Sequence, residues 1–241
     1  MSGYYSYKGF SLPRVTTICS QLDKSPALMG WAVNCMRDYI NDRIDDDIAT
    51  YSPSVTYKKE DIMVIVNDAK TNYKEVSREA MDIGSLTHSA IEEYLLTGKE
   101  PKNPRPEVLS AFVAFLEWKD ANTTETIKVE HSVYSLNPPY AGTLDWICLM
   151  DEKKYYIDFK TSKAVYEPSR YQIAAYRQTD DDPDSCGSGI LRLDKETGYP
   201  EFKDLTDKYD NDVDIFNDLC KLWWKRKPKL RKKFLNNGGV L

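Results

Sequence analysis

Asp158 and Lys160 stand two residues apart in the stretch YYIDFKTSK, residues 155–163, just past a run of apolar side chains. Residues two apart on a strand share a face, so acid and lysine point the same way while Ile157 and Phe159 anchor the opposite face. One such pair is compatible with a solvated strand end. A second acid changes its meaning. Asp145 lies in the preceding strand-like segment TLDWICLM. A two-residue turn at Asp151–Glu152 pairs Met150 with Lys153, and therefore Asp145 with Asp158. Neighbouring carboxylates repel unless something positive lies between them. Mg2+ takes hard oxygen ligands and keeps several waters, a demand met by two carboxylates and the backbone carbonyl of Phe159. Lys160 would then orient or help deprotonate a metal-bound water and offset charge growing on a phosphate oxygen. The chemistry this pattern suits is metal-assisted attack on a phosphate ester.

Other polar residues fall on the elements around that hairpin. His88 sits on an expected helix with Glu92 four residues on, beside Ile91 and Leu95. A packed or capping role and a metal or phosphate contact both fit it. His131 alternates with Ile127 and Val129, as a residue at the core edge does. Gln172 and Tyr176 form an i, i+4 pair on the helix after the Asp–Lys strand, where an amide and a phenol could hydrogen-bond a phosphate. Tyr171 and Tyr176 also suit the core. Thr161 to Lys163 are either phosphate contacts or the strand's exit.

The elements that must position these groups follow from periodicity. SPALMGWAVNCMRDYIND reads as a helix with Pro26 near its start and an apolar stripe of Ala27, Leu28, Trp31, Ala32, Cys35 and Met36. Residues 61–69 read as a short helix, and 72–98 as a helix, a break or bend near Gly84, and a helix again. EVLSAFVAFLEWKD is a further helix. From Ala121 onward the order is β-β-β-α-β-β, then a last helix, NDVDIFNDLCKLWWKRK, and a basic tail. The fold class expected is α/β (α+β): a mixed central sheet flanked by helices with a helical N-terminal elaboration. Its parts are a mainly helical region over 1–121, a core over 122–205 and a C-terminal helix with basic tail over 206–241, all in a single domain.

The 241 residues suffice for a substantial core. The N-terminus lacks the basic-then-apolar order of a secretory signal, and no apolar run is long enough to span a bilayer. Five scattered cysteines without a CxxC pair suit reduced thiols, and a cytoplasmic protein is expected. The net charge of −5 disfavours a general polyanion coat, yet Lys225–Lys233 carries seven basic residues in nine positions. Lys225, Arg226, Lys227, Lys229, Arg231, Lys232 and Lys233 form either a phosphate-binding surface or a solvated tail. Lys163 belongs with them as a candidate nucleic-acid contact.

Taken in order, GSLTHSAIEE, GTLD, DFK and QIAAY resemble the motifs of the PD-(D/E)xK nuclease superfamily, closest to its RecB-like branch with the Cas4-type and phage exonucleases. Gly84 with His88, Gly142 with Asp145, Asp158 with Lys160, and Gln172 with Tyr176 carry the resemblance, which covers residues 80 to 205. It implies a restriction-endonuclease-like core and a divalent ion, Mg2+ or Mn2+, held by His88, Asp145, Asp158 and the Phe159 carbonyl. Lys160 would be the catalytic lysine, Gln172 and Tyr176 the DNA-positioning pair, and Glu130 a supporting residue or a helper for a second metal. The cysteines do not form the close downstream trio of the cluster-binding relatives, so no iron–sulfur cluster is expected and the cluster-free phage exonucleases are the nearer likeness. The expected activity is exonucleolytic hydrolysis of DNA from a linear duplex or single-stranded end, leaving 5′-phosphates, in recombination, repair or phage DNA processing. A recombination or single-strand annealing protein is a conceivable partner. A structure-specific or single-strand endonuclease and a non-catalytic nucleic-acid-binding module are the alternatives. No P-loop is present, so any ATP-driven motor would be another chain.

Overall fold

A computed structural model describes residues 3–22, 25–51, 55–122 and 124–241, with the side chains of residues 25–27 outside the description. The chain divides into two compact units, Asp23–Ile83 and the remainder, Met1–Leu22 with Gly84–Leu241.

The smaller unit is built from helix α2, Ser25–Thr50, and the first part of helix α3, Lys59–Thr97. Trp31 meets the Tyr73 ring edge-on at 6.4 Å, and the Asn72 amide donates to the Cys35 carbonyl at 3.4 Å. Of the expected apolar stripe, Ala27 lies outside the described side chains, and Leu28 stands exposed while Trp31, Ala32, Cys35 and Met36 are half-buried. The helices expected over 61–98 are one continuous α3. No proline interrupts it, Glu60 and Asp61 suit its first turn, and a single mid-helix glycine costs only about 1 kcal/mol.

The larger unit opens with a hairpin, β1, Tyr4–Tyr7, against β2, Phe10–Pro13. Lys8 and Gly9 at its tip both have positive φ, the geometry of a tight two-residue turn. Short helix α1, Val15–Cys19, follows, and after α3 comes α4, Pro106–Ala121. The central sheet has the order β3-β4-β5-β6-β7, comprising Glu125–Leu136, Pro139–Met150, Lys153–Lys160, Gly187–Leu193 and Pro200–Asp204. All neighbours are antiparallel except β5 and β6, which the crossover through helix α5, Glu167–Arg177, makes parallel. The fold is therefore mixed α/β, a mixed sheet flanked by helices with an N-terminal hairpin and helical region.

Aromatic packing fixes the sheet between its helices. On α4, Phe115 packs edge-on to Trp146 of β4 and Phe159 of β5, and Trp118 leans on Phe202 of β7. Helix α5 packs on β4, β5 and β6, backed by α1 and by α6, Tyr209–Lys225. The stretch expected to be a basic tail is instead a further helix, α7, Pro228–Asn236. Proline at its first turn starts it, and buried Phe234 fastens it to Trp224 of α6 and Phe10 of β2. No helix among the described residues is long and apolar enough to cross a membrane.

One polar knot ties the sheet to the end of α5. The Tyr156 hydroxyl donates to Asp180 at 2.5 Å, Lys154 pairs with the same oxygen at 2.8 Å, and the Asp182 amide holds the other at 3.0 Å. Burial alone would raise the Asp180 carboxyl, but the Lys154, Tyr156 and backbone hydrogen bonds outweigh it and hold it well below the usual carboxylate range. A depressed carboxylate contributes stability that is present above its unfolded pKa, about 3.9, and is lost as pH falls through the folded value. The wild-type protein should therefore lose thermal stability progressively below about pH 4, and Asp180→Asn should flatten that acid limb. At pH 7 the substitution is expected to cost about 1–2 kcal/mol by chemical denaturation.

Candidate metal centre

The β4–β5 hairpin sets two acids beside each other by turn geometry. Asp151 and Glu152 have φ of 50° and 62°, the double left-handed conformation of a two-residue turn, and Met150 pairs with Lys153. The ladder continues to Trp146 opposite Ile157, which brings Asp145 and Asp158 to the next position. The Asp145 Oδ2 atom accepts the Phe159 backbone N–H at 2.7 Å. Its Oδ1 atom meets Nδ1 of His88, from the last turns of α3, at 3.2 Å. The His88 ring lies edge-on to Phe159, with centroids 6.0 Å apart.

Strand β3 brings a third acid to the same place through a distortion. Its register against β4 slips by one residue between Thr126 and Lys128, a bulge, and Glu130 takes φ of 46° in mid-strand. A left-handed conformation costs a residue with a Cβ on the order of 1 kcal/mol or more, and such strain gathers at sites where a side chain must be re-aimed. One ligand atom from each of His88, Glu130 and Asp145 lies within 4.8 Å of the other two. From the sequence Glu130 is expected as a supporting residue or a helper for a second metal, and the structure puts it in the cluster with His88 and Asp145. The pattern EHSV gives no hint of the left-handed backbone that aims it there.

Asp158 stands beside the triad with partners of its own. It is 2% exposed; Oδ1 accepts the Gln172 amide at 3.0 Å and Oδ2 is ion-paired with Lys160. Gln172 also donates to the Tyr176 hydroxyl at 3.1 Å, so the two α5 residues form one bracket on Asp158. Gly142 makes room for that bracket. A Cβ there would lie 2.5 Å from Cε1 of buried Tyr176, closer than any real contact. Gly84 plays the milder counterpart on α3, where a Cβ would sit 3.2 Å from Oγ1 of Thr161, just past β5.

The charges do not balance. Burial would raise Asp145, but the His88 charge and hydrogen bond, Lys160 and the Phe159 N–H bring it below its ordinary value. Asp158 is pushed up, first by burial and then by Asp145, with Lys160 only partly offsetting them. Glu130 is likewise raised by burial, Asp145 and Glu92. Burial would strip the proton from Lys160, yet two carboxylates face it and hold it as an ammonium. His88 also is raised, Asp145 outweighing burial. Glu92, Glu130, Asp145 and Asp158 thus gather around one ammonium, Lys160, and the His88 ring, an arrangement with room for a further positive charge. An imidazole with two carboxylates suits a divalent ion. The cluster is one that could chelate a metal, as a metal-dependent catalytic site requires.

The remaining candidates lie elsewhere. Lys163 is exposed three residues beyond β5. Lys225, Arg226, Lys227, Lys229, Arg231, Lys232 and Lys233 are all exposed, at the end of α6 and along α7. His131 is half-buried, its Nε2 3.2 Å from Lys128 Nζ. None of the five cysteines is in a disulfide among the described residues. No protein-family model matches the chain, and no curated protein matches it.

Glu130→Gln is expected to weaken Mn2+ binding about tenfold or more, read as free Mn2+ by electron paramagnetic resonance, with unchanged far-ultraviolet circular dichroism. An unaltered affinity would remove Glu130 from the centre.

Proposed function

We propose that the chain is a divalent-metal-dependent nuclease of the PD-(D/E)xK type, acting on DNA ends. The observation that carries this reading is the gathering of His88, Glu130 and Asp145 beside the buried Asp158–Lys160 pair. The restriction-endonuclease-like core and the RecB-like branch enter on the motif order Gly84–His88, Gly142–Asp145, Asp158–Lys160 and Gln172–Tyr176.

His88, Glu130 and Asp145 would hold Mg2+ or Mn2+, with Asp158 and the Phe159 carbonyl adjoining them. Such an ion supplies Lewis-acid polarisation of the phosphoryl group and a water acidic enough to attack near neutral pH. The protein's own part is positional and electrostatic. Lys160, kept protonated by Asp158 and Asp145, stabilises negative charge on the phosphoryl oxygens and orients the attacking water by donating to it. It starts as an acid rather than a base, which narrows the role expected from sequence. Asp158 fixes that ammonium, and Gln172 with Tyr176 fixes Asp158. In-line attack on phosphorus with a departing 3′ oxygen leaves a 5′-phosphate. The substrate would be a linear duplex or single-stranded end, in recombination, repair or phage DNA processing, with a recombination or annealing protein as a possible associate.

Purified protein with Mg2+ should degrade linear DNA and spare covalently closed circles, as seen on gels. Cleavage of single-stranded circles would point to an endonuclease, and DNA binding without hydrolysis across Mg2+, Mn2+ and other divalent ions to a binding module. Lys160→Met is expected to lower the single-turnover rate about 10²- to 10³-fold while leaving Mn2+ affinity within a few-fold. A full rate in that variant would overturn the role of the lysine.

A further inference from the structure

The N-terminal hairpin carries a cation that the metal centre does not account for. Arg14 follows β2, and its backbone bridges to Ala141 of β4, next to the glycine that admits Tyr176. Its guanidinium lies over the Tyr5 ring, 5.2 Å from the centroid. Tyr5 is held in turn, its hydroxyl 2.8 Å from Oγ1 of Thr143. Thr143 is two residues before Asp145, about 7 Å along the strand. Tyr5 also bears electrostatically on the Tyr176 phenol, the outer end of the bracket on Asp158.

Two features of Arg14 point to an absent ligand. Its Nε is sealed from solvent and has no hydrogen-bond partner. Among the described residues no carboxylate forms an ion pair with it, although Arg37, Arg43, Arg170 and Arg192 each have one. A buried guanidinium N–H without an acceptor costs about 1–3 kcal/mol, and with the residue only half-buried the two terminal nitrogens of the fork are the donors an outside anion could reach. A planar, permanently charged fork braced on an aromatic ring suits a phosphate, which accepts two parallel N–H bonds. Its ring partner Tyr5 carries no negative charge that would compete with an anion.

We propose that Arg14, braced by Tyr5 and Thr143, is a substrate-positioning residue that binds a backbone phosphodiester of the nucleic acid next to the one held at the metal centre. The inference rests on the nuclease reading and adds to it a subsite built from the hairpin. Arg14 acts by binding and registering the strand, and takes no part in bond cleavage.

The test uses the full chain with Ca2+ in place of Mg2+ and a fluorescein-labelled single-stranded oligonucleotide, with affinity followed by anisotropy across a salt series. Arg14→Gln should weaken binding about tenfold and reduce the slope of log K against log salt by about 0.7, the loss of one phosphate contact on a single strand. Tyr5→Phe, which keeps the charge but frees the platform, should weaken binding with the slope retained. In the wild-type protein, phenylglyoxal labelling of Arg14, read by peptide mass spectrometry, should fall when the oligonucleotide is bound; this measurement does not depend on any variant folding. An unchanged slope in Arg14→Gln, or unprotected Arg14 in the wild type, overturns the subsite while leaving the nuclease reading intact. A wild-type protein that binds no oligonucleotide overturns both.

Discussion

The structure turns on the cost of keeping carboxylates together away from water. Asp158 is almost wholly buried, Asp145 sits beside it, and Glu130 gathers with Asp145 and His88. Desolvation and mutual repulsion each disfavour the charged forms, and each would be relieved if the strands slid apart or the acids turned to solvent. They are held by a specific set of donors: the Phe159 amide and His88 on Asp145, Lys160 and Gln172 on Asp158. Those donors come from α3, β5 and α5, so the arrangement exists only when helices and sheet are assembled. The residual negative charge makes the cluster attractive to a cation rather than merely tolerated.

The rest of the larger unit can be read as support for that arrangement. The Phe115, Trp146 and Phe159 rings lock the hairpin's anchoring face to α4. Buried rings of this kind contribute about 1.5–3 kcal/mol each and leave little freedom for register to slip. The opposite demand, close approach, is met by glycine. Gly142 lets the Tyr176 ring lie on the strand, which in turn sets the Gln172 amide on Asp158. A rigid apolar side and a closely fitted polar side together hold the acids within reach of one another.

Three sets of cations in the larger unit differ in their partners. Lys160 is spent on Asp158, inside the centre. Arg14 is braced but has no anion. The α7 basic residues are anchored as a helix by Phe234, so their charges project from an ordered surface rather than from a loose tail.

Much of the centre was legible from residue order. The Asp–Glu turn set the pairing of Met150 with Lys153 by counting alone, because hairpin register is local, and period-two alternation separated Phe159 from Asp158. Helix α5 and the β6–β7 hairpin followed from equally local rules. What lay beyond reach depended on contacts distant in sequence. Glu130 enters the triad through a bulge and a left-handed residue that β3 adopts only against β4. The continuity of α3 hinged on whether one glycine could outweigh the helix around it. The Lys8–Gly9 dipeptide after the tyrosine-rich start is a local hairpin signal. Arg14 had none, since an arginine after a proline looks ordinary until its neighbours are known. The sequence by itself determined which chemical groups are present and the local geometry that pairs Asp145 with Asp158. Only the tertiary structure decided which of those groups are desolvated, which are neutralised and which still lack a partner, because burial and charge balance belong to the assembled layers.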